Sequence, residues 1–167
     1  MRKIAVLSII LSAGLLSACG TEESGAQLGS SLAEFEEEYG ENAIEDPSDS
    51  LFDYQSEDGY VSSILIDDHA AGITLSFESK EDTEWSEEDA LEASEEFLPS
   101  DAEMAGSEEV ALGDQEASLY VYESEYLHEL QDKEGEGPQT IAVRLYAEEE
   151  GYRQGEISIE DGDEEEQ

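Results

Sequence analysis

Cations are what this chain has least of. Six Lys and Arg stand against 47 Asp and Glu, a formal net charge of −41. Arg2 and Lys3 lie at the very start, so beyond residue 19 only Lys80, Lys133, Arg144 and Arg153 remain and that part of the chain is near −43. The shortage excludes nucleic acid as a partner, because phosphate neutralisation needs a clustered basic footprint and four scattered cations cannot make one. Cys19 is the sole cysteine, which rules out an intrachain disulfide. His69 and His128 are the only histidines. Long apolar runs are missing too, except for Ile4 to Leu16, which as a helix would reach about 20 Å against the ~30 Å of a hydrocarbon core.

That opening segment reads as an export signal: Met1-Arg2-Lys3 is a basic start and an apolar stretch follows. It ends in Leu16-Ser17-Ala18-Cys19, which resembles the lipobox of bacterial lipoproteins. The resemblance implies that signal peptidase II recognises Leu16, Ser17 and Ala18 and cuts before Cys19. It also implies that the Cys19 thiol carries a diacylglyceryl group and that Cys19 becomes the mature N-terminus. A lipid thioether accounts for a lone cysteine in an exported protein. One acyl chain anchors marginally and two anchor stably. The expected location is therefore the extracytoplasmic face of the cell membrane, held by lipid without a span.

What is abundant is negative charge, and two states are compatible with it. An acidic chain poor in aromatics stays disordered. Here Phe35, Phe52, Tyr54, Tyr60, Trp85, Phe97, Tyr120, Tyr122, Tyr126, Tyr146 and Tyr152 recur at patterned positions among Ile and Leu, so a folded domain with a salt-adapted surface is expected. Close carboxylates repel one another and destabilise the compact state. At ~1 M salt the Debye length falls to about 3 Å and most of that repulsion is screened. A saline or alkaline habitat follows, and urea unfolding at about 0.1 and 2 M salt should show the more stable domain at the higher concentration.

Residues 19–29 contain glycine, Thr, Ser, Glu and Gln with little apolar content and read as the lipidated terminus and a flexible tether. Residues 161–167 read as an acidic disordered tail. Between them, 30–160 is the length of one domain. Ser31 with Glu34 makes a capping box for a helix that stops at Gly40 and carries Leu32, Phe35 and Tyr39 on one face. Beyond a turn at Asp46-Pro47-Ser48-Asp49, strands are predicted at 51–55, 60–67 and 72–79, with Gly59 and Gly72 in turns. Ser86 caps a second helix that runs toward Pro99, with Trp85 placed to staple on Ala90. Strands at 109–112 and 117–123, a short helix from Ser124 to Leu130, and a hairpin of 140–147 with 152–160 complete the pattern.

The predicted fold class is α+β: an antiparallel sheet with two main helices on one face and a helix-plus-meander duplication. The element order resembles the small β-lactamase-inhibitor-like, nuclear-transport-factor-like and cystatin-like folds. That resemblance concerns order alone and transfers no function.

Motifs for chemistry are sparse. His69 lies in an acidic hairpin loop, Asp67-Asp68-His69, and His128 on a short helix near Glu125, both read as surface histidines rather than ligands. Asp161-Gly162-Asp163-Glu164 has charge without the frame of a calcium loop, so weak, non-specific cation condensation is expected and no dedicated metal site. Gly135-Glu136-Gly137 lacks a Walker ending and reads as a loop. Tyr120-Val121-Tyr122 reads as sheet packing rather than a sugar platform. No catalytic residue and no cofactor is assigned. The expected function is a lipid-anchored extracytoplasmic binding domain whose partner is a basic protein or an envelope component. The alternative is a small lipid-anchored enzyme or enzyme inhibitor with a pocket near His69 or His128.

Overall fold

Alternating apolar residues along the C-terminal half pair into long strands, because period-two patterning puts one whole set of side chains into a core. In a computed structural model, residues 25–43, 51–55, 60–66, 68–77, 85–112, 115–131, 137–148 and 151–160 are described. The segments expected to be signal peptide and lipobox, the predicted turns at 46–49 and Gly59, and the expected tail at 161–167 lie outside them. The elements run α1 (Leu32–Tyr39), β1 (Leu51–Gln55), β2 (Tyr60–Ile66), β3 (His69–Ser76), α2 (Glu87–Glu95), β4 (Glu103–Leu112), β5 (Gln115–Ser124), α3 (Glu125–Leu130), β6 (Gln139–Glu148) and β7 (Gly151–Glu160). The strands form one sheet in the order β1-β2-β3-β7-β6-β5-β4, with every neighbouring pair antiparallel. The fold is mixed α+β with the sheet dominating.

The register defines the core. Ile73 faces Ile157, which faces Val143, and Leu75 faces Gly155, which faces Leu145. These share one side of the sheet, and Ile73, Val143, Leu145 and Ile157 are buried with Phe35 of α1, Ala90 of α2 and Leu127 of α3 in one cluster. At its β1 flank the cluster is aromatic: Phe35 stacks on Tyr54 at 5.7 Å between ring centroids, and Tyr39 stacks on Phe97 at 6.3 Å. Gly155 permits α2 to approach β7, since a Cβ there would stand 3.0 Å from Ser94 Oγ and 3.1 Å from the Phe77 ring.

Both main helix starts form as the caps predict. The Glu34 carboxylate accepts from Ser31 N and Oγ, each at 2.7 Å, and Ser86 Oγ accepts from Asp89 N at 3.1 Å. Gly40, at φ 86°, ends α1. Three expectations are corrected. The segment 25–29 is not tether: Leu28 is fully buried, its N–H donates to Phe97 O, and Gly29 N–H donates to Ala70 O. Gly29 sits at φ 88° with Leu127 only 2.7 Å from a built Cβ, so a side chain there is excluded twice. Gly72 is inside β3, opposite Ile64 and Ser158, rather than in a turn. Its strand starts at His69 because pairing with β2 extends to the Ile66–His69 pair. Trp85 stacks on Phe77 at 4.8 Å and bridges to Tyr152. Finally, β4 starts at Glu103; Met104-Ala105-Gly106-Ser107 has no alternation of its own and becomes a strand by pairing with β5 through a bulge between Met104 and Gly106.

Candidate functional site

The densest set of polar contacts lies where β5 meets α2. Alternation puts Ser118, Tyr120, Tyr122 and Ser124 of β5 on the core side, since their partners Leu145, Val143 and Ile141 on β6 are core residues. Each of these hydroxyls donates to a carboxylate. Ser118 Oγ and Tyr120 OH both bond Glu87 Oε1, the latter at 2.8 Å. Tyr122 OH bonds Glu95 Oε1 at 2.6 Å, and Ser124 Oγ bonds Asp101 Oδ1 at 2.8 Å. Tyr152 OH adds to the first group, 3.1 Å from Ser118 Oγ. A chain short of cations thus satisfies carboxylates with hydroxyl donors.

Protonation equilibria follow the geometry. Hydrogen bonds from Ser118, then Tyr120, hold the Glu87 carboxyl below the ordinary carboxylate value. Partial burial, reinforced by the bond to Glu87, pushes the Tyr120 phenol up to about 12. Tyr122 is raised for the same two reasons, with Glu95 as its partner. The Glu87 carboxylate thereby orients the Ser118 and Tyr120 hydroxyls. The ladder fastens α2 to β5.

Beside the ladder, a cleft of about 290 Å³ opens at the β4–β5 end of the sheet, lined by Glu109, Val110, Glu116, Ser118, Ala147 and Tyr152 among others. A second groove, of about 180 Å³, lies over β3 and β7, where Gly72, Thr74, Glu156 and Ser158 line it. His69 and His128 line neither. His69 opens β3 and bridges to Ser31, close enough to Glu34 to help lower that carboxyl's pKa, after the larger effect of the bonds from Ser31. His128 is in the last turn of α3. The histidines sit on separate elements. Among the described residues no group of three or more His, Cys, Asp or Glu is placed to hold a metal ion.

Of the other residues singled out from sequence, Leu16, Ser17, Ala18 and Cys19 lie outside the described residues, as do Gly135, Glu136 and 161–164. Tyr120 and Tyr122 are sheet-packing residues that also hydrogen-bond α2, while Val121 points to the opposite side. Glu87, Glu95 and Asp101 were not singled out. Their signal was faint but present: hydroxyls at every second position of β5 and carboxylates two helical turns apart on α2.

The opposite side of the sheet differs. It presents Asp53 and Ser62, which hydrogen-bond each other, then Thr74, Glu156 and Ser158, then Arg144, Tyr146, Leu119 and Val121. Arg144 donates to Ser158 Oγ at 2.9 Å and to Glu160 Oε1 at 2.7 Å, and Tyr146 OH donates to Glu156 at 2.7 Å. No helix of the described residues is long and apolar enough to cross a membrane. Comparison with protein-family models, with curated proteins and with solved structures gave no match.

Proposed function

We propose that the protein is a lipid-anchored extracytoplasmic binding domain whose partner is a basic protein or an envelope component. In this reading signal peptidase II recognises Leu16, Ser17 and Ala18, and Cys19 carries the diacylglyceryl anchor at the cell membrane. The acidic surface is repelled by anionic headgroups, which leaves the lipid as the membrane contact. The helices cover one side of the sheet, and the side bearing Arg144, Leu119 and Val121 is turned to the surroundings. The two halves, α1 with three strands and α2 with four, meet where β3 pairs with β7, as a helix-plus-meander duplication with one added strand would place them.

The observation that supports binding over catalysis is the engagement of the polar groups. The hydroxyls of β5 are each tied to a carboxylate that secures α2 or the start of α3, and the histidines stand on separate elements away from both clefts. Two experiments test the reading. Replacing Cys19 with Ser should abolish acyl labelling and signal peptidase II processing, and persistent labelling would falsify the anchor. Crosslinking followed by pull-down from envelopes should recover a basic partner; recovery no better than from a charge-matched control protein counts against the binding role.

A further inference from the structure

The two rims of the sheet are finished differently. β1 is short, and its outer side is occupied: Ala43 N donates to Asp53 O at 2.6 Å and Asp53 N donates to Asn42 Oδ1 at 3.0 Å. β4, the opposite rim, is twice as long, ten residues from Glu103 to Leu112. Among the described residues no backbone N–H or C=O outside its pairing with β5 is bonded to the backbone of 103–112. Met104 is 50% exposed, and from Glu103 to Ala111 only Val110 is even half-buried. An edge of this length leaves a row of unpaired N–H and C=O groups, and proteins ordinarily blunt such edges with proline, lysine or a covering segment. β4 contains neither proline nor lysine.

Its charge is all of one sign. Glu103, Glu108 and Glu109 lie on β4, and Glu123 and Glu116 face Glu103 and Ala111 from β5, with no cation on either strand. Glu109 and Glu116 also line the 290 Å³ cleft with Ser118 and Tyr152. A second copy of this chain would bring the same carboxylates and another −41 of charge, and like charges set opposite one another across a strand pair destabilise it. Strand addition draws affinity from main-chain hydrogen bonds and specificity from pockets for alternate side chains. Here the rim supplies the first and the acidic cleft the second.

We propose that the outer edge of β4 docks an extended, lysine- or arginine-bearing segment of the partner protein, which pairs as an eighth strand and sets a cationic side chain beside Glu109 at the mouth of the cleft. The proposal rests on the binding role above and locates it. Main-chain pairing fixes the register, and the cations neutralise a rim that otherwise repels its own kind.

The probe is a synthetic ten-residue peptide alternating Lys with Thr and Val, offered to the lipidated chain in non-ionic detergent. Its control has the same sequence with alternate backbone amides N-methylated, which keeps every charge and removes strand pairing. Hydrogen exchange should slow in 103–112 with the parent peptide and not with the control. Equal protection by both, or protection that avoids 103–112, overturns the proposal. Reversal of the two exposed charges in the E108K/E109K double variant should weaken peptide binding about tenfold, because the attractive cross-strand pair at Glu109 is replaced by a repulsive one. The E92K/E129K variant, with the same net change on exposed helix positions, should weaken it much less; equal weakening overturns the site. A concentration-dependent dimer that protects 103–112 without peptide assigns the rim to a second copy and overturns the proposal. If pull-down recovers a partner that binds E108K/E109K as tightly as the parent chain, the β4 assignment falls and the binding role stands. If the peptide protects β4 but no partner is recovered, the edge assignment is supported and the binding role falls.

Discussion

The β1 flank and the β5 flank of this domain bury hydroxyls in opposite ways. Around β1, Tyr54 OH and Ser63 Oγ are buried without a hydrogen-bond partner among the described residues, and the region is held by the rings of Phe35, Tyr39, Tyr54 and Phe97. Around β5, four hydroxyls are each matched to a carboxylate. One flank is secured by the burial of aromatic rings, the other by charge-assisted bonds that depend on carboxylates being ionised. In a chain with so few cations, the second device lets carboxylates contribute to stability without ion pairs.

The largest test of this contrast removes the aromatic anchor. Phe35→Ala should cost about 3–5 kcal/mol in urea unfolding, because a fully buried ring leaves a cavity. The loss should be nearly the same at about pH 5 and pH 9, since the ring removed carries no titratable group. A loss that varied strongly with pH would break the distinction between the flanks.

Next in size are the hydroxyls themselves. Tyr122→Phe and Ser124→Ala should each cost about 1 kcal/mol, the first for a lost hydrogen bond and the second for a lost helix cap; Ser124 Oγ accepts from Leu127 N as well as donating to Asp101. Ser63→Ala should be neutral or stabilising by up to about 1 kcal/mol, since it deletes a buried polar group that has no partner among the described residues. Denaturation midpoints measured side by side decide the matter, and a Ser63→Ala loss as large as that of Ser124→Ala would erase the contrast.

Smaller effects appear in pH dependence. Glu87 is held below about 4.5 in the folded state, so its contribution is present above that value and is lost as pH falls through the lower folded value. The Glu87→Gln variant should show a shallower acid limb. Tyr120 is raised to about 12, so its contribution is complete below the ordinary phenol value near 10 and is lost as pH rises toward 12. Tyr120→Phe should make that alkaline limb shallower without removing it, since Tyr39 and Tyr146 are also raised to about 12. Thermal midpoints across both ranges check the pair, and parallel limbs in parent and variant would assign the pH dependence elsewhere.

The smallest effect concerns the rims. Asn42→Ala should speed exchange of the Asp53 amide several-fold while leaving 103–112 unchanged, because Asn42 Oδ1 accepts from Asp53 N on the β1 rim. A matching change at β4 would show that the rims are coupled rather than independently finished.

Much of this fold was legible in the residues. Ser31 with Glu34 and Ser86 with Asp89 marked both main helix starts, and the alternation of Ile141, Val143 and Leu145 marked a strand with one buried side. These are short-range signals, written within a turn or two of chain. Met104 to Ser107 carried no such signal, and neither did the burial of Leu28, because both depend on residues distant in sequence: Tyr122, Val121 and Tyr120 across β5 for the first, and Phe97 and Ala70 for the second. The carboxylate partners of β5 were hidden for a different reason. Among 47 acids, proximity alone distinguishes Glu87 from its neighbours, and proximity is a tertiary quantity.

Composition and contacts between near neighbours were enough to specify the charge, the helix caps and the two-residue periodicity. Long-range pairing decided which strand lies at the rim of the sheet and, among the described residues, which hydroxyls found carboxylates and which were buried without a partner. Long-range pairing chooses one register out of many, and only that choice brings β5 under α2 and leaves β4 at the edge.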